Sequence, residues 1–138
     1  MKSVCIAGSF KFYKQILELE MELNKEGIPV ERPVLDKRYR RGEEPYGLII
    51  PEGITEEELL GDMKKIELDF LSKIDKQQIL YIVCPNGYIG KAVAFEIGYA
   101  KARGKHVISM CPIEDLPIRA LVDDIKSTKE LIEYCKSG

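Results

Sequence analysis

The chain has 138 residues, 45% of them apolar, which fits one compact domain spanning residues 1–138. Its 21 basic and 23 acidic side chains are well mixed and give a formal charge of -2, which argues against a nucleic-acid or membrane-surface partner. No stretch approaches the roughly 20 apolar residues of a membrane span, and the first apolar run is too short for a signal peptide, so we expect a cytoplasmic protein. The four cysteines are too far apart for a zinc site, and we expect no metal and no other cofactor.

Apolar runs alternate with helical patterns along the chain. Four runs have the composition of buried strands: SVCIAG (3–8), IPVERPV (28–34), ILYIVC (79–84) and HVISMC (106–111). Helical spacing fills residues 11–26, a capping box of Thr55 and Glu58 opens a helix to about Ile74, and 116–136 covers the end of the domain. This alternation predicts an α/β fold with a parallel sheet of four to five strands and helices on both faces.

Ligands of such sheets bind beyond the carboxyl ends of the strands, where neighbouring crossovers go to opposite faces. Three stretches occupy such ends: Gly8 to Phe10, Pro85 to Gly90, and Cys111 to Pro117. Glycine-rich turns that open a helix favour anionic groups such as phosphate. The alternative is that Gly8 and Gly87 only allow tight turns, as glycine does in any fold.

Glu96 lies in the apolar stripe of a helix. At about 100° per residue, one narrow sector contains Ile89, Ala92, Val93, Glu96 and Ala100. Burying an ionised carboxylate is costly unless it is paired, and the usual response is a raised pKa. Glu96 is therefore either a working group or a structural carboxylate that accepts loop hydrogen bonds or pairs with a basic residue.

Glu67 is a second carboxylate on an apolar stripe, which it shares with Met63, Phe70 and Ile74. Two such residues, one of them just beyond a predicted ligand-binding turn, strengthen the functional interpretation of Glu96.

The segment between the second strand and the capping box is long for a compact domain. Two interpretations stay open. Tyr39 or Tyr46 could stack on a planar ring while a nearby basic residue meets a phosphate, or the segment could be a solvated loop or part of an oligomer interface.

The chain resembles the nucleoside 2-deoxyribosyltransferase family and its relatives, the 2'-deoxynucleoside 5'-monophosphate N-glycosidases. The resemblance covers most of the chain and is carried by VCIAGSF, IELDFL and above all GYIGKAVAFEIGYAKARGKHV. It implies a flavodoxin-like (Rossmann-like) fold and an enzyme in which Glu96 attacks C1' of a deoxyribosyl group and expels the base. A covalent glycosyl-Glu96 intermediate would then pass to another base or to water.

The resemblance also implies the surroundings of Glu96. The position of Glu67 helps to hold the substrate, and the turn after the first strand contacts base and sugar. The expected substrate-binding residues are Gly8, Ser9, Phe10, Tyr13, Glu67, Asn86, Gly87, Tyr88 and Gly90. The expected ligand is a small-molecule nucleoside or nucleotide, and the expected assembly is a homodimer or higher homo-oligomer.

Two departures from the family keep alternatives open. Gly90 stands where the family commonly has an Asp or Ser, and Gln78 where an Asp is frequent. One alternative is a non-catalytic nucleotide-binding or sensing domain. Another is a phosphoribohydrolase of the lysine decarboxylase-like type, although PNGYIG lacks the threonine of that group's turn. Transfer or hydrolysis, the base, the sugar and the need for a 5'-phosphate all stay open.

Overall fold

A computed structural model of the chain describes residues 1–137. Five parallel strands form one sheet, and five helices connect and flank them. The strands are β1 (Val4–Gly8), β2 (Val30–Glu31), β3 (Ile79–Val83), β4 (His106–Ser109) and β5 (Asp124–Ile125). The helices are α1 (Tyr13–Lys25), α2 (Glu56–Lys76), α3 (Lys91–Ala102), α4 (Leu116–Leu121) and α5 (Thr128–Lys136).

The strand order is β2-β1-β3-β4-β5, with every pair parallel. This order is that of flavodoxin-like sheets, and the predicted α/β fold class is confirmed. No helix within residues 1–137 combines the length and apolar character needed to cross a bilayer.

Two hydrophobic layers cover the sheet because successive strand residues point to opposite faces. Val4 and Ile6 of β1 pack with α1 and α5, whereas Cys5 and Ala7 pack with α2 and α3. The chain leaves β1 over the first face and β3 over the second. The adjoining ends of these two strands, where Gly8 pairs with Val83, are therefore the switch point of the sheet.

Two elements differ from the sequence prediction. The predicted strand over 28–34 pairs only at Val30–Glu31, because Pro29 and Pro33 have no amide hydrogen for the ladder. The region 116–136 is not continuous, since a capping box formed by Ser127 and Glu130 starts α5 afresh after β5.

The segment between β2 and α2 packs against α2. Its short 3₁₀ helix, Lys37–Tyr39, buries Tyr39 to 1% exposure, and the Tyr39 hydroxyl donates to Asp62, which also pairs with Arg38. Tyr39 is therefore a packing residue and cannot stack on a ligand, whereas Tyr46 is half-buried beside α1.

Candidate active site

A cavity of about 190 Å³ lies at the switch point, on the face covered by α2 and α3. It is formed by the turn after β1, the middle of α2, the first turns of α3, and Pro33, which follows β2. The residues lining it are Gly8, Ser9, Phe10, Pro33, Ile66, Glu67, Phe70, Gly90, Lys91, Ala92, Val93 and Glu96. Six of the ten residues expected at the site are therefore brought together here.

Glu96 and Glu67 face each other inside this cavity. Glu96 comes from the second turn of α3 and is only 6% exposed, because its stripe packs on the sheet with Val93 and Ala100. Glu67 comes from α2, and its Oε1 is buried without a hydrogen-bond partner within residues 1–137. As the helical spacing predicts, both carboxyl groups lie on the inner faces of their helices.

The two carboxyl groups determine the electrostatics of the cavity. Burial raises the pKa of Glu96 well above the usual range of a glutamate, and the hydrogen bond and negative charge of Glu67 raise it further. Within residues 1–137, no basic side chain offsets this effect on Glu96. The structural alternative, in which an Arg or Lys neutralises Glu96, therefore has no support in the geometry.

Asn86 and Gly87 belong to the turn that precedes α3 and lie outside the cavity lining. Asn86 and Gly87 adopt left-handed conformations, with φ of 58° and 81°. A Cβ on Gly87 would collide with the carbonyl of Pro112 and lie 3.0 Å from the amide of Glu114. The structure does not place Asn86, Gly87 or Tyr88 among the lining residues, and their turn instead sets where α3 begins.

Tyr88 and Tyr13 both make contacts outside the cavity. The ring of Tyr88 packs edge-on against Phe12, with Lys11 Nζ 3.8 Å from its centre. The Tyr13 hydroxyl, expected among the substrate-binding residues, instead accepts hydrogen bonds from Arg32 at 3.2 Å and Arg40 at 2.7 Å. Neither tyrosine lines the cavity.

Sequence reasoning missed several residues of the lining. Phe70, Ala92 and Val93 were recognised as stripe residues but not as cavity walls. Pro33 could have been found, because a proline that ends a strand lies at the same sheet edge as Gly8. Lys91 lies in the first turn of α3. Its position directly after Gly90, an expected substrate-binding residue, could have indicated that it lines the cavity.

A larger groove of about 520 Å³ lies between α1 and the segment around Pro45 and Tyr46. Its acidic residues, Glu18 and Glu44, are both exposed. Size alone therefore does not locate the chemistry, and the smaller cavity with its buried carboxyl groups is the better candidate.

No protein-family model and no curated protein matches the chain. Its structure is similar to that of a 2-deoxyribosyltransferase from the psychrotolerant bacterium Bacillus psychrosaccharolyticus, with a TM-score of 0.60, 19% identity, and coverage of 96% of this chain and 91% of that one. A conserved protein from Enterococcus faecalis V583 aligns with a TM-score of 0.59, 15% identity, and 99% and 98% coverage. A CMP N-glycosidase from Clostridium botulinum aligns with a TM-score of 0.50, 15% identity, and 96% and 97% coverage. At these identities the similarity establishes a shared fold.

Proposed function

We propose that the protein is an enzyme that cleaves the N-glycosidic bond of a nucleoside or nucleoside 5'-monophosphate, with Glu96 as nucleophile. The observation that carries this proposal is the buried Glu96 carboxyl, facing Glu67 at the switch point and lacking a basic partner. A 2-deoxyribosyltransferase and a CMP N-glycosidase have the same fold, which supports this class of reaction. The sequence resemblance points to the same class.

The proposed reaction has two displacements at C1'. Glu96 must be ionised to attack. Because its pKa is raised, the carboxyl group keeps its proton at neutral pH, so this proton has to leave first. Glu67 is the neighbouring carboxyl group that receives it in the proposed reaction. The Glu96 oxygen then forms a bond to C1' while the C1'–N bond breaks, and the departing base takes a proton from Glu67. Another base or water next attacks C1', gives up its proton to Glu67, and releases Glu96.

The cavity supports this sequence through its low polarity. Phe10, Pro33, Ile66 and Phe70 form apolar walls around the carboxyl pair. Excluding water strengthens the interaction between an ionised Glu96 and the positive charge that develops on the sugar in the transition state.

The test is a chromatographic assay of free base released from deoxynucleosides, ribonucleosides and their 5'-monophosphates, with and without an acceptor base. Glu96→Ala should abolish release, whereas Glu133→Gln, on the exposed surface of α5, should leave it unchanged. Dependence on an acceptor base would show a transferase, and release into water a hydrolase. Ligand binding without turnover in the unmodified protein would instead favour a nucleotide-sensing domain and contradict the proposal.

A further inference from the structure

Cys84 and Cys111 lie side by side at the carboxyl ends of β3 and β4. The register of these strands pairs Ile82 with Ser109, and the ladder continues past β4, since the Met110 amide donates to the carbonyl of Ile82. Extending this register by two residues places Cys84 opposite Cys111. The Cys84 thiol donates to the carbonyl of Cys111 at 3.5 Å, so the two residues are in contact.

This placement suits a disulfide. Neighbouring strands lie about 4.8 Å apart, and disulfides join residues whose Cα atoms are roughly 4.4–6.8 Å apart. Paired residues of parallel strands point to the same face of the sheet, and both side chains pack in the hydrophobic layer under α2 and α3. All four cysteines of the chain are free thiols, so this pair is in the reduced state.

The other two cysteines are placed elsewhere. Cys5 of β1 pairs with Leu80, which lies four residues before Cys84 on β3, a separation of about 13 Å at 3.3 Å per residue. Cys135 belongs to α5 and packs on the opposite face of the sheet. Of the four thiols, those of Cys84 and Cys111 are therefore the two within bonding reach of each other.

The pair flanks the turn that precedes α3. The Cys84 carbonyl accepts from the amide of Gly87 at 2.8 Å, and the Gly87 carbonyl accepts from the amide of Glu114 at 3.0 Å. Cys111 is followed directly by Pro112, whose carbonyl lies against Gly87. A bond between the two sulfurs would therefore fasten this turn to the loop after β4, next to the start of α3.

The two thiols differ in access to an oxidant. Cys111 is half-buried and can meet a small molecule, whereas Cys84 is fully buried. Burial also raises the pKa of the Cys84 thiol, which keeps it protonated and makes it the second of the pair to react. Its position beside Cys111 gives it a high effective concentration, which offsets this low ionisation.

We propose that Cys84 and Cys111 are a redox-sensitive pair that a low-molecular-weight disulfide converts into an intramolecular disulfide, fastening the turn before α3 to the loop after β4. The Cys111 thiolate attacks one sulfur of the oxidant, and one small thiol leaves. The Cys84 thiolate then attacks the Cys111 sulfur, and the second small thiol leaves. The chain loses two protons and two electrons as its S–S bond forms, and the oxidant takes them up to become two thiols.

The experiment incubates the unmodified chain with glutathione disulfide, traps the remaining thiols and digests the product with trypsin. Cleavage after lysine and arginine puts the four cysteines in four different peptides, with Cys84 in 77–91 and Cys111 in 106–119. We expect these two peptides to be cross-linked, two of the four thiols to be lost, and dithiothreitol to restore all four.

Variants test the order of the two steps. Cys84→Ser should stop at a glutathione adduct on Cys111, and Cys111→Ser should form no cross-link. The matched control is Cys135→Ala, which removes a buried cysteine outside the pair and should leave the cross-link intact.

Amide hydrogen exchange, followed by NMR on the reduced and oxidised chains, measures the fastening. The amides of Gly87 and Glu114 should exchange at least about tenfold more slowly in the disulfide form, because the bond limits local opening of the turn. Unchanged or faster exchange at these two amides would overturn the fastening. A cross-link to Cys5 or Cys135, an adduct on Cys111 that goes no further in the unmodified chain, or no reaction would overturn the pair. None of these measurements uses base release, so their outcome is independent of the proposed function.

Discussion

Replacing Glu96 by glutamine should make the protein more stable, and the gain should grow with pH. The pKa of Glu96 is raised in the folded protein, mainly by burial and then by Glu67. The folded state therefore binds more protons than the unfolded chain at pH values above the ordinary glutamate pKa of about 4.3. Consequently the free energy of unfolding of the unmodified protein falls as the pH rises through this window.

The size of the effect is limited by the number of pH units over which the folded and unfolded states differ in the protonation of Glu96. Each pH unit between the unfolded and folded pKa values changes the free energy of unfolding by at most about 1.4 kcal/mol, so the limit from pH 5 to pH 7 is roughly 2.7 kcal/mol. For a domain of this size, 1 kcal/mol moves Tm by roughly 3–5 °C. The Tm advantage of Glu96→Gln should therefore widen by several degrees over this range, since glutamine does not titrate.

Thermal unfolding followed by circular dichroism at pH 5, 6 and 7 measures this directly. Glu133→Gln removes an exposed carboxylate and should follow the unmodified protein at all three pH values. A Tm difference between Glu96→Gln and the unmodified protein that stays constant with pH would refute the reasoning. It would mean that Glu96 is ionised in the folded protein and stabilised by groups not identified above.

Two further predictions follow from the site. Gly87→Ala should lower the free energy of unfolding by about 2–4 kcal/mol, because it combines a left-handed φ with a collision, while Gly98→Ala in α3, where a Cβ meets nothing within 4 Å, should raise it by about 0.5–1 kcal/mol. Urea unfolding checks both, and equal effects would contradict the geometry. Glu67→Gln should lower base release, because it removes the group proposed to carry the proton, and should move the ascending limb of the remaining activity to lower pH, because it removes a negative charge that raises the pKa of Glu96. A shift to higher pH, measured as kcat against pH, would count against this role.

The sequence predicted those features that depend on local periodicity. Continuous apolar runs identified β1, β3 and β4, because strands buried on both faces leave no polar alternation. The helical period placed Glu96 and Glu67 on inner faces, since neighbouring positions on a stripe share one environment. The parallel order then brought the ends of β1 and β3 together, which located the cavity.

Features that depend on contacts between distant residues were not predictable in this way. The Tyr13 hydroxyl turns toward Arg32 and Arg40, and no local pattern specifies those partners. The strand β5 has two residues and is exposed, so it carries no apolar signal. The place of Lys91 in the cavity lining depends on where α3 begins relative to the sheet, which no local pattern specifies.

The shortness of β2 and β5 has a consequence for how copies of the chain could associate. These are the two edge strands, and each consists of two residues, Val30–Glu31 and Asp124–Ile125. Such edges offer few free backbone groups to a strand from another molecule. The homo-oligomer that we expect from the family resemblance would therefore assemble through helix faces and loops, which leaves the central strands that carry the cavity undisturbed by association.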